Sequence, residues 1–327
     1  MTFLTPKGYP PPRIDGRGRL CYRCESMFDA LGSVRSIGEI LALTSGFAWA
    51  VAVVLFRVSG RSVHPIGLNL GKNVLGLALI VPTLLLLGEP LAPSVPARTT
   101  GLLLLSGVLG IAVSDTLFFN ALNRLGASLT AIVDCFYSPF VIALSFVLLG
   151  ERLSLVQLAG AALVVSAVLT VSKEGKIEKL DPKDLAAGIA YGISAMFFTA
   201  LGIVMVKPVL GQVSVYWATL VRVAGGTAAI ALLVPALKNR GAVLRPLLDR
   251  RNWKTLVPAA FFGSYLSLIM WTGGMKYAKA SVAAVLNQLN TIFIVIIAAV
   301  FLRERLTGWK VLAVVLAFLG AYLAANP

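Results

Sequence analysis

The amino-acid sequence predicts an all-α membrane protein: ten transmembrane helices arranged as two inverted five-helix repeats. Three observations predict it. The chain of 327 residues is 58% hydrophobic and only 13% charged, about half the charged share of an ordinary soluble chain. From 37 to 325 it is mostly apolar runs of roughly 20 residues, the length of a helix that crosses the hydrocarbon core. The third observation is that one stretch occurs twice. Sliding Gly126 to Thr170 forward by 153 positions puts Ala127-Ser128 on Ala280-Ser281 and Glu151-Arg152-Leu153 on Glu304-Arg305-Leu306. No gap is needed, and nine of the 27 positions from 127 to 153 are identical. A shared apolar composition does not bring two polar motifs into one register, so the stretch reads as an internal duplication.

Residues 1–36 precede the spans. Pro6, Pro10, Pro11 and Pro12 and scattered arginines, with no apolar h-region, predict a disordered tail and no signal peptide. Met27 is an alternative start. Cys21 and Cys24 form a CxxC without the second pair that a zinc site needs, and Cys135 falls inside a span as a small apolar residue. The spans are placed at about 37–56, 65–88, 100–122, 127–149, 154–172, 184–206, 213–237, 254–277, 280–302 and 308–325. The first repeat is 37–172 and the second 184–325; residues 173–183, of mixed charge, form a solvated linker. A shift of 150 extends the duplication backwards, with Gly38 on Gly188, Ala50 on Ala200, Arg57 on Lys207, Lys72 on Arg222 and Gly76 on Gly226. A unit of five spans is odd, so the second unit enters the membrane from the opposite side. Inverted repeats of this kind support alternating access around a midplane site.

Two five-span units, each with an apolar span running into Gly150-Glu151-Arg152-Leu153 or Arg303-Glu304-Arg305-Leu306, resemble the EamA-type repeats of the drug/metabolite transporter superfamily. The basic residue in the second span of each unit, Lys72 and Arg222, is similar to that pattern, and the second motif departs from it by lacking the glycine. The resemblance covers about 37–325. It implies that the first to fourth and sixth to ninth spans surround a central cavity, with the fifth and tenth to the side. It also implies a cell-membrane location with both termini inside. The loop lysines and arginines favour the opposite orientation under the positive-inside rule.

Lys72, Asp115, Asp134 and Arg222 lie well inside spans, where each costs at least ~2.5 kcal/mol unless paired or hydrated. They either serve substrate and protons or hold helices together as ion pairs. Asp134, Tyr137 and Ser138 share one helix face, and the 153 shift puts Asn287, Asn290 and Thr291 at the same three positions. Two related helices with polar triplets are expected to face the interior. Ser264, Ser267 and Trp271 follow in the eighth span; Ser114 and Phe118 align with Ser267 and Trp271. Ser45 and Trp49 in the first span and Tyr191, Ser194 and Thr199 in the sixth complete the candidate substrate cavity. Aromatic faces beside small hydroxyls suit a largely apolar solute with a few polar groups. Each of these residues also has a plain packing explanation, and the Glu-Arg-Leu motifs read best as helix caps or interfacial ion pairs.

The expected function is secondary transport of a small organic metabolite, amino acid-like or otherwise amphipathic, by alternating access. A drug-efflux pump of the same fold is the alternative. A membrane enzyme or scaffold is the different class, and the sequence carries no zinc motif, nucleophile elbow or phosphate loop. No cofactor or metal is implied. The expected partners are substrate, lipid and protons as a coupling ion, with a homodimer allowed. The net charge of +15 is spread over loops between spans, as expected beside a membrane and not for nucleic acid.

Overall fold

The computed structural model describes residues 34–150, 154–156, 158–160, 162–163, 165–167, 180–278 and 280–325. The expected tail up to residue 33, Cys21 and Cys24, Met27, Glu151-Arg152-Leu153 and the linker from 173 to 179 lie outside these residues. Among the described residues all regular structure is helical. Among these residues seven helices are long and apolar enough to cross a membrane. With Val34–Ser59 as α1, they are α1, α2 (Pro65–Leu86), α3 (Ala97–Leu125), α4 (Ala127–Leu149), α6 (Pro182–Val204), α7 (Val215–Ala236) and α9 (Arg250–Tyr277). The other three expected spans coincide with shorter apolar helices: α5 (Leu158–Ala167), α10 (280–301, in two parts, Ala280–Gln288 and Asn290–Phe301) and α11 (Gly308–Ala325). The basic stretch before α9, expected as loop, contains a further short helix, α8 (Arg240–Leu248), whose Val243 is buried. Asp249 then caps α9 by accepting from the Arg251 N–H at 2.9 Å, so α9 starts earlier than its apolar run.

The duplication reappears in local chemistry. His64 caps α2 and Ser214 caps α7, 150 positions apart, each accepting from the N–H two residues on. Arg57 donates to the carbonyls of Leu122 and Asn123 at the end of α3. Lys207, its counterpart, donates to Met275 and Ala278 at the end of α9. Orphan carbonyls at a helix end and a cation satisfy one another twice. α3 and α9 each contain a π-helical segment, Val108–Val113 and Phe261–Ser267, whose starts are 153 apart. α4 breaks at Cys135-Phe136 and α10 at Leu289, so that Tyr137 and Asn290, again 153 apart, open their second parts.

Packing crosses between the halves. α1 packs on α9 and α10, while α6 packs on α3 and α4; α2 and α7 meet each other. Where α3 and α7 cross, the backbones nearly touch. A Cβ on Gly226 would stand 2.9 Å from the Gly107 carbonyl oxygen, so only glycine fits. α11 lies against α4 and α10, in a separate apolar cluster with Leu129, Ile132, Ala313 and Ala317. Leu86, Val147, Leu232 and Phe301 are 87, 71, 80 and 76% exposed. An outer surface of this kind belongs in hydrocarbon, where backbone groups must be satisfied within helices.

One contact explains why the two polar motifs travel together. The Glu304 carboxylate accepts from the backbone N–H of Ala127 at 3.0 Å and of Ser128 at 3.1 Å, and from the Ser128 hydroxyl. The Glu-Arg-Leu motif of the second half thus caps the Ala-Ser start of α4 in the first. Gly126, at φ +81°, opens that helix, and a Cβ there would be strained and 3.1 Å from the Glu304 carboxylate.

Candidate functional site

A central cavity encloses about 750 Å³ of empty space, counting its open mouth, within the range of small-molecule sites. Its wall is built in pairs related by the duplication. Trp49 pairs with Thr199, Lys72 with Arg222 and Gly110 with Gly263 in the register of the duplication. Ile111 pairs with Ser264, Asp115 with Leu268, Phe118 with Trp271, Asp134 with Asn287 and Tyr137 with Asn290. Met196 and Ser267 complete it.

The π segments and helix breaks place these residues. A π turn loosens the i→i−4 ladder and frees carbonyls. In α3 the freed oxygens of Ile111 and Ala112 accept from the Asn69 side chain at 2.8 and 3.1 Å. Asn69 accepts from Asn73, and Asn73 from the Lys72 ammonium at 2.8 Å. Lys72 is 3% exposed and donates to Asp115 at 2.7 Å, with Ser264 at 3.4 Å. This buried cation is fully engaged. Arg222, 1% exposed, differs. Its Nε donates to Ser106 at 2.9 Å, and its guanidinium lies 5.0 Å from the Trp271 ring centroid. Its Nη1 has no hydrogen-bond partner among the described residues.

Asp134 accepts from Asn290 at 3.3 Å across the α4–α10 crossing. Asn287 accepts from Ser45 at 3.0 Å, and Ser267 donates to the Ser45 carbonyl at 3.0 Å. The Trp49 and Phe118 rings are 5.5 Å apart, and those of Tyr137 and Trp271 6.3 Å. The Tyr137 hydroxyl is buried and makes no hydrogen bond of good geometry among the described residues. The site is therefore an aromatic slot with carboxylate, amide, hydroxyl and guanidinium groups at fixed places.

Of the residues proposed from sequence, Trp49, Phe118, Asp134, Tyr137, Thr199, Ser264, Ser267, Trp271, Asn287 and Asn290 line the cavity, as do Lys72, Asp115 and Arg222. Six lie off its wall. Ser45 stands behind Asn287, and Ser114 ties α3 to α6 through the Ala195 carbonyl and Thr199. Thr291 bonds Ala131, Asn290 and Cys135. Ser138 is fully buried beside Tyr137; Ser194 is exposed; Tyr191 stacks under Arg124, 5.6 Å away. Sequence reasoning missed Gly110, Ile111, Met196, Gly263 and Leu268, which carry no polar signal. It also missed Asn69 and Asn73, although their spacing about Lys72 puts all three on one face. A second cavity, lined by Glu89, Ser214, Tyr265 and Lys276 among others, lies elsewhere, and its one acid is bonded to Ser214.

The sequence matches the EamA-like transporter family twice, over residues 36–173 and 186–326. The chain belongs to the EamA-like transporter family. An uncharacterized transporter of Archaeoglobus fulgidus is 23% identical over 288 residues, covering 88% of this chain and 98% of that protein. Another from the same organism is 38% identical over 104 residues, covering 30% of this chain and 37% of its own length. A solved crystal structure, 18% identical, superposes with a TM-score of 0.68 over 89% of this chain and 97% of that one, a likeness of fold. This EamA-like transporter is a multi-pass integral membrane protein of the drug/metabolite transporter superfamily.

Proposed function

We propose that the protein is a secondary transporter of the cell membrane that moves a small organic metabolite by alternating access. Its ten helices would form two inverted five-helix units, 37–172 and 184–325, joined by the charged linker 173–183. The observation that carries this reading is the pairing of the cavity wall: eight residues of the first half line it together with the eight that the duplication assigns to them. A cavity made that way sits on the axis relating the halves, where exchanging their conformations opens it to one side and then the other. The helix breaks beside Asp134 and Asn287, and the crossed packing of α1 and α6, support the same motion.

The transport test is saturable flux of a metabolite panel in vesicles with and without a pH gradient. Loss of flux on replacing Asn287 or Trp271 is expected, and a panel with no saturable flux overturns the reading. The inversion has its own test. Ser62 and Gln212 are exposed and 150 positions apart, after the first helix of each unit. Cysteines introduced there in a Cys-free chain should react with an impermeant maleimide from opposite sides of a sealed vesicle. Reaction from one side for both removes the inverted arrangement. The aromatic wall of Trp49, Phe118 and Trp271 also favours a second reading, efflux of amphipathic drugs, which the direction of flux separates.

A further inference from the structure

We propose that Arg222 and Tyr137 form an anchor for the carboxylate of a monoanionic substrate whose apolar body lies along Trp271. The inference rests on the transport reading for its purpose but not for its chemistry. Arg222 keeps a buried Nη1 without a hydrogen-bond partner, and Tyr137 a buried hydroxyl without one; both lie on the cavity wall next to Trp271. Buried donors in folded proteins are normally satisfied. Two unsatisfied groups beside the same Trp271 ring on one cavity wall mark the place where a ligand oxygen belongs.

The duplication explains why this cation keeps an unpartnered Nη1. Lys72 is neutralised by Asp115, Asn73 and Ser264. The corresponding positions around Arg222 are Leu268, Val223 and Ile111, all apolar. The second half keeps the cation and lacks the groups that engage it in the first. Ser106 and Trp271 hold the guanidinium by one edge and near one ring, leaving Nη1 for a partner. Arg holds its charge when buried and offers a planar fork to a carboxylate. Two donors without a hydrogen-bond partner among the described residues, beside one guanidinium charge, fit a carboxylate; a phosphate dianion would need a second cation, and Lys72 is already bound to Asp115.

Purified full-length protein is melted with acetate, benzoate and phenylacetate, and with acetamide, benzamide and phenylacetamide, at constant pH and ionic strength. At least one acid should stabilise saturably, and its amide of the same shape should bind at least tenfold more weakly. Tyr137→Phe removes a hydroxyl that makes no hydrogen bond of good geometry among the described residues. It should melt like the parent without ligand, yet bind the acid about fivefold more weakly, the worth of one hydrogen bond. Arg222→Gln should lose the preference for acid over amide. The inference is overturned if no acid is preferred over its amide, or if Tyr137→Phe leaves the acid's affinity unchanged. Vesicle flux separates the two claims. Neutral solutes that move while acids show no preference leave transport standing and remove the anchor. Acids that bind through Arg222 without any saturable flux do the reverse.

Discussion

Removing either member of the Lys72–Asp115 pair should destabilise the protein strongly, and unequally. Breaking a buried ion pair costs about 3–5 kcal/mol, because the remaining charge is left without its partner. The structure sets where each variant falls. Asp115 is 16% exposed and faces the cavity, so after Lys72→Met its carboxylate can draw some water and the cost lies near 3 kcal/mol. Lys72 is 3% exposed, so after Asp115→Leu the ammonium keeps only Asn73 and Ser264 as polar partners, and the cost lies near 5 kcal/mol. The double variant removes both charges. It leaves one acceptor, Asn73 Oδ1, without its donor, a cost of about 1–3 kcal/mol. The double variant should therefore be more stable than Asp115→Leu alone, with a coupling of several kcal/mol. Denaturant titration of the four proteins in mixed micelles measures it. Additive losses, or single losses below about 1 kcal/mol, would refute the structural role of the pair. Stable single variants that no longer bind substrate would instead make Lys72 a substrate contact.

Three further outcomes are expected. Arg303 occupies the left-handed region at φ 56°, at the position where the first half has Gly150 at φ 70°; Arg303→Gly should stabilise by roughly 1 kcal/mol, read as a raised Tm, since a side chain there is strained by ~1–2 kcal/mol, and a lowered Tm contradicts the strain. Glu304→Ala removes the cap shared by Ala127 and Ser128 and should destabilise by about 1–2 kcal/mol, with faster hydrogen exchange confined to the start of α4; unchanged exchange there rules out the cap. Asp134→Asn copies its counterpart Asn287 and, if Asp134 carries a proton during transport, should abolish the response to a pH gradient while leaving substrate exchange; gradient-driven flux at the parental rate excludes that role.

What was legible in the sequence was legible through register. Shifts of 150 and 153 put Asp134 with Asn287 and Phe118 with Trp271 before any coordinates, and both pairs lie on the cavity wall. Polar residues read singly fared differently. Ser194 sits two residues before Met196, roughly 200° around the helix, so a wall that includes Met196 and Thr199 turns Ser194 outward. Ser114 is on the cavity-lining helix α3 but turns towards α6, where its hydroxyl is taken up by Ala195 and Thr199. The π segments could not be read, since periodicity assumes 3.6 residues per turn; one residue of π geometry rotates everything after it. The aligned glycines Gly110 and Gly263 were the available sign, as small residues without an apolar role in both copies.

The contacts that repeat and those that do not divide the labour of the molecule. Arg57 and Lys207, the caps at His64 and Ser214 and the two π segments occur in both halves. Contacts shared by both halves hold each unit together, and under the proposed exchange of conformations they would be preserved and so favour neither state. Groups present in one half only are what would distinguish the two proposed conformations and the two ends of a substrate. Asp115 opposite Leu268, Asp134 opposite Asn287 and Tyr137 opposite Asn290 are such groups, and all six line one cavity. A pair of identical halves would offer a solute the same chemistry at both ends. Here the two cations of the wall differ, Lys72 being paired with Asp115 and Arg222 not hydrogen-bonded to a carboxylate among the described residues, so under the proposed anchor a bound solute has one preferred direction, and a ligand can shift an equilibrium only through such differential contacts.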